Sequence, residues 1–187
     1  DSAADCGDWF EIHNPNNFPI DLSDWEFRDS KDCHRFIVPL GTIIPANGYL
    51  VFAEDMDKFS SIYPSVSNVI GPLGFNLSNG GDQIRMFDYR DVVIDSVYYM
   101  DIAPWSTLPD GGGFTLERAT PPGNPYDAAS WFPGCYGGSP GRAFNASLGG
   151  VLHVSGGTSF CTGGNVRLSI PSLPGALYQW YYNSNPI

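Results

Sequence analysis

Basic residues are scarce in this 187-residue chain: nine Lys and Arg stand against twenty Asp and Glu, for a net charge of −11. A nucleic-acid surface needs clustered cations, and these are spread thinly, so DNA or RNA is not an expected partner. The same charge repels anionic membrane surfaces. No stretch is long and apolar enough to span a bilayer and no signal peptide is present, so membrane insertion is not expected. The three histidines, His13, His34 and His153, have no second His or Cys at metal-ligand spacing and read as surface residues. His34 follows Cys33, but adjacent side chains on an extended chain point to opposite sides, which argues against a thiol–imidazole pair. A G-x-S-x-G turn is missing too. Nothing here is an enzyme constellation, and the chain is expected to be non-catalytic.

What the chain has in quantity is aromatics, at 14%, with 22 Gly and 16 Pro. That mixture suits many short strands joined by tight turns. The stretch Asp8–Asn14 and its partner Asp24–Asp29 set the pattern. Phe10 and Ile12 alternate with Glu11 and His13, and Trp25 and Phe27 with Glu26 and Arg28, so each strand has a buried and a wet face. The turn-rich residues 15–23 between them predict that the two strands form an antiparallel pair. Glu11 and Glu26 then pair across that hairpin with Arg28 or His13. Further strands are expected at 36–39, 49–52, 82–87, 92–97 and 114–118, with Asp88–Asp91 as a hairpin turn. Met56, Phe59 and Tyr63 have helical spacing and Pro64 stops that helix. Residues 120–141, rich in Pro and Gly, predict a loop that packs by its aromatics rather than by a ladder.

The segment DWFEIHNPNNFPIDLSDWEF resembles the opening of lamin tail domains, which are immunoglobulin-like modules. The match continues in order through HRFIVPLGTIIPANGYLVF, FNLSNGGDQIRMFD, VVIDSVYYMDIAPW, PDGGGFTLER and GGSPGRAF. Pro104-Trp105 and the Gly-rich Leu77–Gly81 are similar to the bacterial branch of that family. The resemblance implies an all-β immunoglobulin-like sandwich over residues 1–146, with Phe10, Ile12, Trp25, Phe27, Ile84 and Phe114 among its buried residues. It also implies another strand before Asp8. Asp1–Asp5 does not read as that strand, so part of the domain is expected upstream. No heptad segment accompanies the domain, so filament assembly is not implied.

The four cysteines suggest an oxidising compartment. Cys6 precedes the first strand and Cys33 follows the second. One end of a hairpin would hold both, which favours a Cys6–Cys33 disulfide ahead of Cys6–Cys135 and leaves Cys161 free. Asp5, Asp8, Asp29 and Asp32 flank the same end, a weaker candidate for Ca²⁺, with a solvated acidic rim as the plainer reading. No other cofactor is expected. Trp105, Trp131 and Tyr136 lie in predicted loops, where they either plug the open ends of the core or stack on a glycan or partner.

At 145–150 the composition turns to a linker. Val151–Ser155, Val166–Ile170 and Leu177–Tyr182 read as three more strands, and 147–187 resembles the start of a second immunoglobulin-like module. Too short to close a sandwich, this half-module is expected to be truncated and to pack on the first domain or on another copy of the chain. The expected role is an interaction, spacer or adhesion module of a larger secreted or cell-surface bacterial protein, with protein or glycan partners. The alternative is a carbohydrate-binding module of a secreted hydrolase.

Overall fold

The computed structural model describes residues 6–144, Tyr136 by its backbone alone, and the backbone of four short strands at 153–155, 167–169, 181–182 and 185–186. Within 6–144 the order is β1 (Trp9–His13), β2 (Ile20–Asp21), β3 (Glu26–Arg28), β4 (Arg35–Ile37), β5 (Ile43–Ile44), β6 (Tyr49–Ala53), helix α1 (Met56–Ile62), β7 (Val69–Ile70), β8 (Gly81–Phe87), β9 (Val93–Met100), β10 (Phe114–Arg118) and β11 (Trp131–Tyr136). Two sheets make the sandwich, one in the order β1-β6-β7 and one in the order β4-β3-β8-β9. Two small pairs, β2-β5 and β10-β11, complete it. The architecture is all-β, as the alternating strands predict, and immunoglobulin-like, as the family resemblance implies.

The core forms where the sheets meet. Phe10 on β1 and Phe52 on β6 are register partners whose rings stack at 4.9 Å. Phe27 on β3 reaches across from the other sheet, 4.4 Å from Phe52 and 5.2 Å from Phe10. Phe27 and Phe52 are fully buried, and Phe10, Ile12, Trp25 and Ile84 pack against them half-buried. Each fully buried side chain of this size contributes roughly 1.5–3 kcal/mol. Phe114 is half-buried, outside that cluster.

A second, smaller cluster lies on the outer side of β6, where Val51 and Ala53 meet Phe59 of α1, with Trp9 and Tyr63 against it. The helix begins where the sequence permits it: Asp55 caps it by accepting from the amides of Asp57 and Lys58 at 3.0 and 2.9 Å. It ends before Pro64, as expected.

Three expectations about pairing are corrected. β1 and β3 are not a hairpin; they lie in opposite sheets and touch through Phe10 and Phe27 across the core. Alternation fixes which face is buried but not which strand is the neighbour, and β1 takes β6, some forty residues on. Glu26 pairs not with β1 but with Arg28 on its own strand and Arg35 on β4. Residues 131–136 form a strand against β10 instead of a loop. Pro133 is tolerated because β11 lies at the edge of its pair, beside a register shift between Phe114 and Leu116.

Beyond residue 144, the 153–155 and 167–169 strands pair antiparallel, as do 181–182 and 185–186. The first three fall within segments expected to be extended, and 185–186 lies outside them. How this half-module packs, and the state of Cys161, lie outside the described residues.

Candidate functional site

A cleft of about 2860 Å³ opens beside β1 and is lined along the whole length of β1 and of β10. The backbone of β1 explains the opening. The amide of Asn14 reaches the Gly48 carbonyl at 2.9 Å and the amide of Glu54 reaches the Asp8 carbonyl at 2.8 Å, so residues 8, 10, 12 and 14 turn toward β6. Antiparallel pairing therefore directs the N–H and C=O groups of Trp9, Glu11 and His13 away from β6. Those three have no backbone partner among the described residues. Inside the opening, Phe10, Ile12, Ile84 and Met86 from the inner faces of both sheets line the cleft.

Two carboxylates stand on its outer side. Glu11, on the outer face of β1, accepts from the amide of Gly141 at 2.5 Å. Glu117 on β10 accepts from the Thr115 hydroxyl at 2.6 Å. No ion pair is formed by either among the described residues. Burial, with Glu117 as a like-charged neighbour, lifts Glu11 to about 7 against the stabilising Gly141 amide. Burial raises Glu117 too, and burial together with the pair raises Tyr49. The arm from Gly137 to Gly141 is held over this face by the Tyr63 hydroxyl donating to the Gly137 carbonyl at 2.5 Å and Asn68 Nδ2 donating to the Gly141 carbonyl at 3.2 Å.

The residues singled out from the sequence do not gather into one site. Cys33 is an exposed free thiol and Cys135 a buried one, so neither Cys6–Cys33 nor Cys6–Cys135 is bridged. The reason is topological: β1 and β3 are in different sheets, so the shared hairpin end that would hold Cys6 and Cys33 together does not exist. The Cys6 Sγ instead lies 3.5 Å from the Gly7 carbonyl.

The Ca²⁺ candidates likewise go separate ways. Asp8 accepts from the Leu77 amide at 2.8 Å, and Asp32 pairs with Arg85 at 2.8 Å. Asp29 is buried, with His34 Nδ1 at 2.6 Å and the Lys31 amide at 2.7 Å. Asp5 lies outside the described residues. Among the described residues no three His, Cys, Asp or Glu converge as metal ligands. His34 is therefore a half-buried partner of Asp29, its ring stacked 5.7 Å from Phe75, instead of a surface residue.

Trp105 is buried at 8% exposure, with Tyr98 and Trp131 at 6.4 and 6.3 Å from its ring. The half-buried Trp131 donates from Nε1 to the Pro125 carbonyl at 3.1 Å. These two tryptophans plug the β9–β11 end of the domain, the first of the two roles weighed for them, and Trp105 presents no face to a sugar. The Tyr136 side chain and His153 lie outside the described residues.

One grouping was not legible. Arg28 is the register partner of both Arg35 and Arg85, which sets three guanidinium groups in one row across β4, β3 and β8. The cations are thus not spread evenly. Each has acidic company, however: Glu26 between Arg28 and Arg35, Asp91 on Arg28 and Asp32 on Arg85. Like charges directly opposite are unfavourable across a sheet, and Glu26, buried among them, offsets that repulsion.

A model of the Lamin Tail Domain family matches residues 1–101. No curated protein and no solved structure matches the chain. The matched span contains β1 through β9 and so both sheets of the sandwich, while β10, β11 and the arm over Glu11 lie beyond it.

Proposed function

The chain belongs to the lamin tail domain family, and from that premise we propose that it is a non-catalytic interaction module of a larger secreted or cell-surface protein, taking protein partners by strand addition on β1. One observation carries the reading: the edge of β1, whose N–H and C=O groups on Trp9, Glu11 and His13 have no backbone partner among the described residues, borders a cleft into which core side chains look. An unpaired edge is a template for another strand. The acidic surface and the β-strands following residue 150 support a place in a multidomain extracellular chain.

His13→Pro is the direct test. His13 is exposed and its N–H points away from β6, so proline removes a donor from the open edge and leaves the β1–β6 ladder intact. Extended peptides should bind the unaltered chain, shifting amide resonances of β1, and should bind more weakly to His13→Pro, whose β1–β6 amide resonances report that the ladder is kept although the His13–Tyr49 stack is lost. No binding to either protein at millimolar peptide refutes the reading.

A further inference from the structure

We infer that the strand added to β1 comes from a partner protein and alternates apolar residues with Lys or Arg, its basic side chains lying against Glu11 and Glu117. The inference rests on the strand-addition reading of the cleft and specifies its ligand. Side chains of an added strand fall by turns on the two faces of β1. On the inner face they meet Phe10 and Ile12, with Ile84 and Met86 across the gap, and only apolar groups fit there. On the outer face they come opposite Trp9, Glu11 and His13, at roughly 4.5–5.5 Å between Cβ atoms for directly facing positions.

Among the described residues no cation forms an ion pair with the two carboxylates of that outer face. Glu11 and Glu117 are half-buried neighbours, and each has a single uncharged donor, the Gly141 amide and the Thr115 hydroxyl. Such carboxylates are costly when ionised unless a cation joins them. Five of the nine cations are engaged elsewhere: Arg28, Arg35, Arg85 and Arg90 pair with acids of the other sheet and its turn, and Arg118 with Asp95. Arg142, next to Gly141, and Lys58 also line the cleft, and among the described residues no ion pair joins Arg142 to Glu11 or Glu117. A Lys or Arg delivered opposite Glu11 supplies the missing counter-charge. An acidic strand meets repulsion there in addition to the net charge of −11.

Three nine-residue peptides test this, all with Val at alternate positions and with two Lys, two Thr or two Glu between them. Isothermal titration at 50 mM salt should rank Lys above Thr above Glu, with about tenfold between the extremes, and the preference should shrink at 500 mM salt. Glu11→Gln and Glu117→Gln together should equalise the three peptides without abolishing binding, while His13→Pro should weaken all three. Should the double variant fold poorly, the salt series on the unaltered chain decides the same point.

Equal affinities that His13→Pro still weakens overturn the charge inference and leave strand addition standing. No binding of any peptide overturns both. A β1–β1 dimer of the chain itself, seen by light scattering and dispersed by His13→Pro, makes a second copy the occupant and overturns the partner. The partner is overturned equally if the natural full-length protein covers β1 with its own residues and takes up no peptide.

Discussion

Replacing Glu26 by Gln should cost about 2–3 kcal/mol at pH 7, and the cost should disappear in acid. Glu26 is 7% exposed and receives Arg35 Nε at 2.6 Å and Nη2 at 2.5 Å, with Arg28 Nε on the same oxygen as Arg35 Nε. Arg35, then Arg28, hold its carboxyl down to about 2 from the usual 4.5 despite burial. At 1.36 kcal/mol per pH unit that shift is worth roughly 3 kcal/mol. Half of the Arg35 side chain, 51%, is in water, and screening trims the figure. The folded pKa is depressed, so this stabilisation is complete above about 4.5 and is lost as the pH falls toward about 2. Urea denaturation at pH 7, 4 and 3 should show the parent losing stability steeply below pH 4.5 and Glu26→Gln losing much less. A variant within 0.5 kcal/mol of the parent at pH 7, or with the same acid slope, refutes the buried arginine–glutamate network as a stabilising element.

The opposite sign is expected at Glu11, whose folded pKa is raised: the neutral form is favoured below about 4.5 and that advantage fades as the pH rises through about 7. Glu11→Gln should therefore be near neutral at pH 5 and stabilising by about 1–2 kcal/mol at pH 8, checked by melts at both values. Asn14, 2% exposed, donates to the Phe18 and Pro45 carbonyls at 2.9 Å and accepts from the Asn16 amide at 3.0 Å; Asn14→Ala should cost about 2–3 kcal/mol in urea denaturation. Gly81 opens β8 at φ +117°, where an added Cβ meets Met100 Sδ at 2.6 Å and the Tyr99 carbonyl at 2.8 Å, so Gly81→Ala should cost more than about 2 kcal/mol, read from the shift in its urea midpoint. A thiol reagent should modify exposed Cys33 in the native protein and spare buried Cys135, whose thiol burial and then Glu117 push upward; equal rates contradict that placement.

The apolar faces of β1 and β3 were legible in the sequence through period-two alternation, but Glu26, expected on the wet face, is buried at 7% exposure because Arg28 and Arg35 close over it. Also legible were helix α1, from the spacing of Met56, Phe59 and Tyr63, the Asp88–Asp91 hairpin between β8 and β9, and the family. Neighbours were not. Phe10 and Phe27 carry the same apolar signal whether they sit side by side or face to face, and proximity in the chain favoured the wrong choice. The cysteine pairing and the calcium candidates both inherited that error, since each relied on a shared hairpin end. The row of Arg28, Arg35 and Arg85 and the pairing of Glu11 with Glu117 were hidden for a related reason. The place of Arg85 in that row and the approach of Glu11 to Glu117 depend on the register of segments far apart in sequence, and Arg28 and Arg35, though only seven residues apart, meet through the register of β3 on β4.

Strand β6 has one consequence for motion. It is sheltered on both sides: Leu50 and Phe52 enter the main core, while Val51 and Ala53 enter the cluster beneath α1. It also has a strand on each flank, β1 on one and β7 on the other. No partial opening can expose its amides without dismantling an entire layer. In heavy water those amides should be the last to take up deuterium, exchanging only through global unfolding, while Trp9, Glu11 and His13 on neighbouring β1 exchange early. Two adjacent strands would then differ in exchange rate by orders of magnitude, and a ligand strand on β1 would narrow the gap.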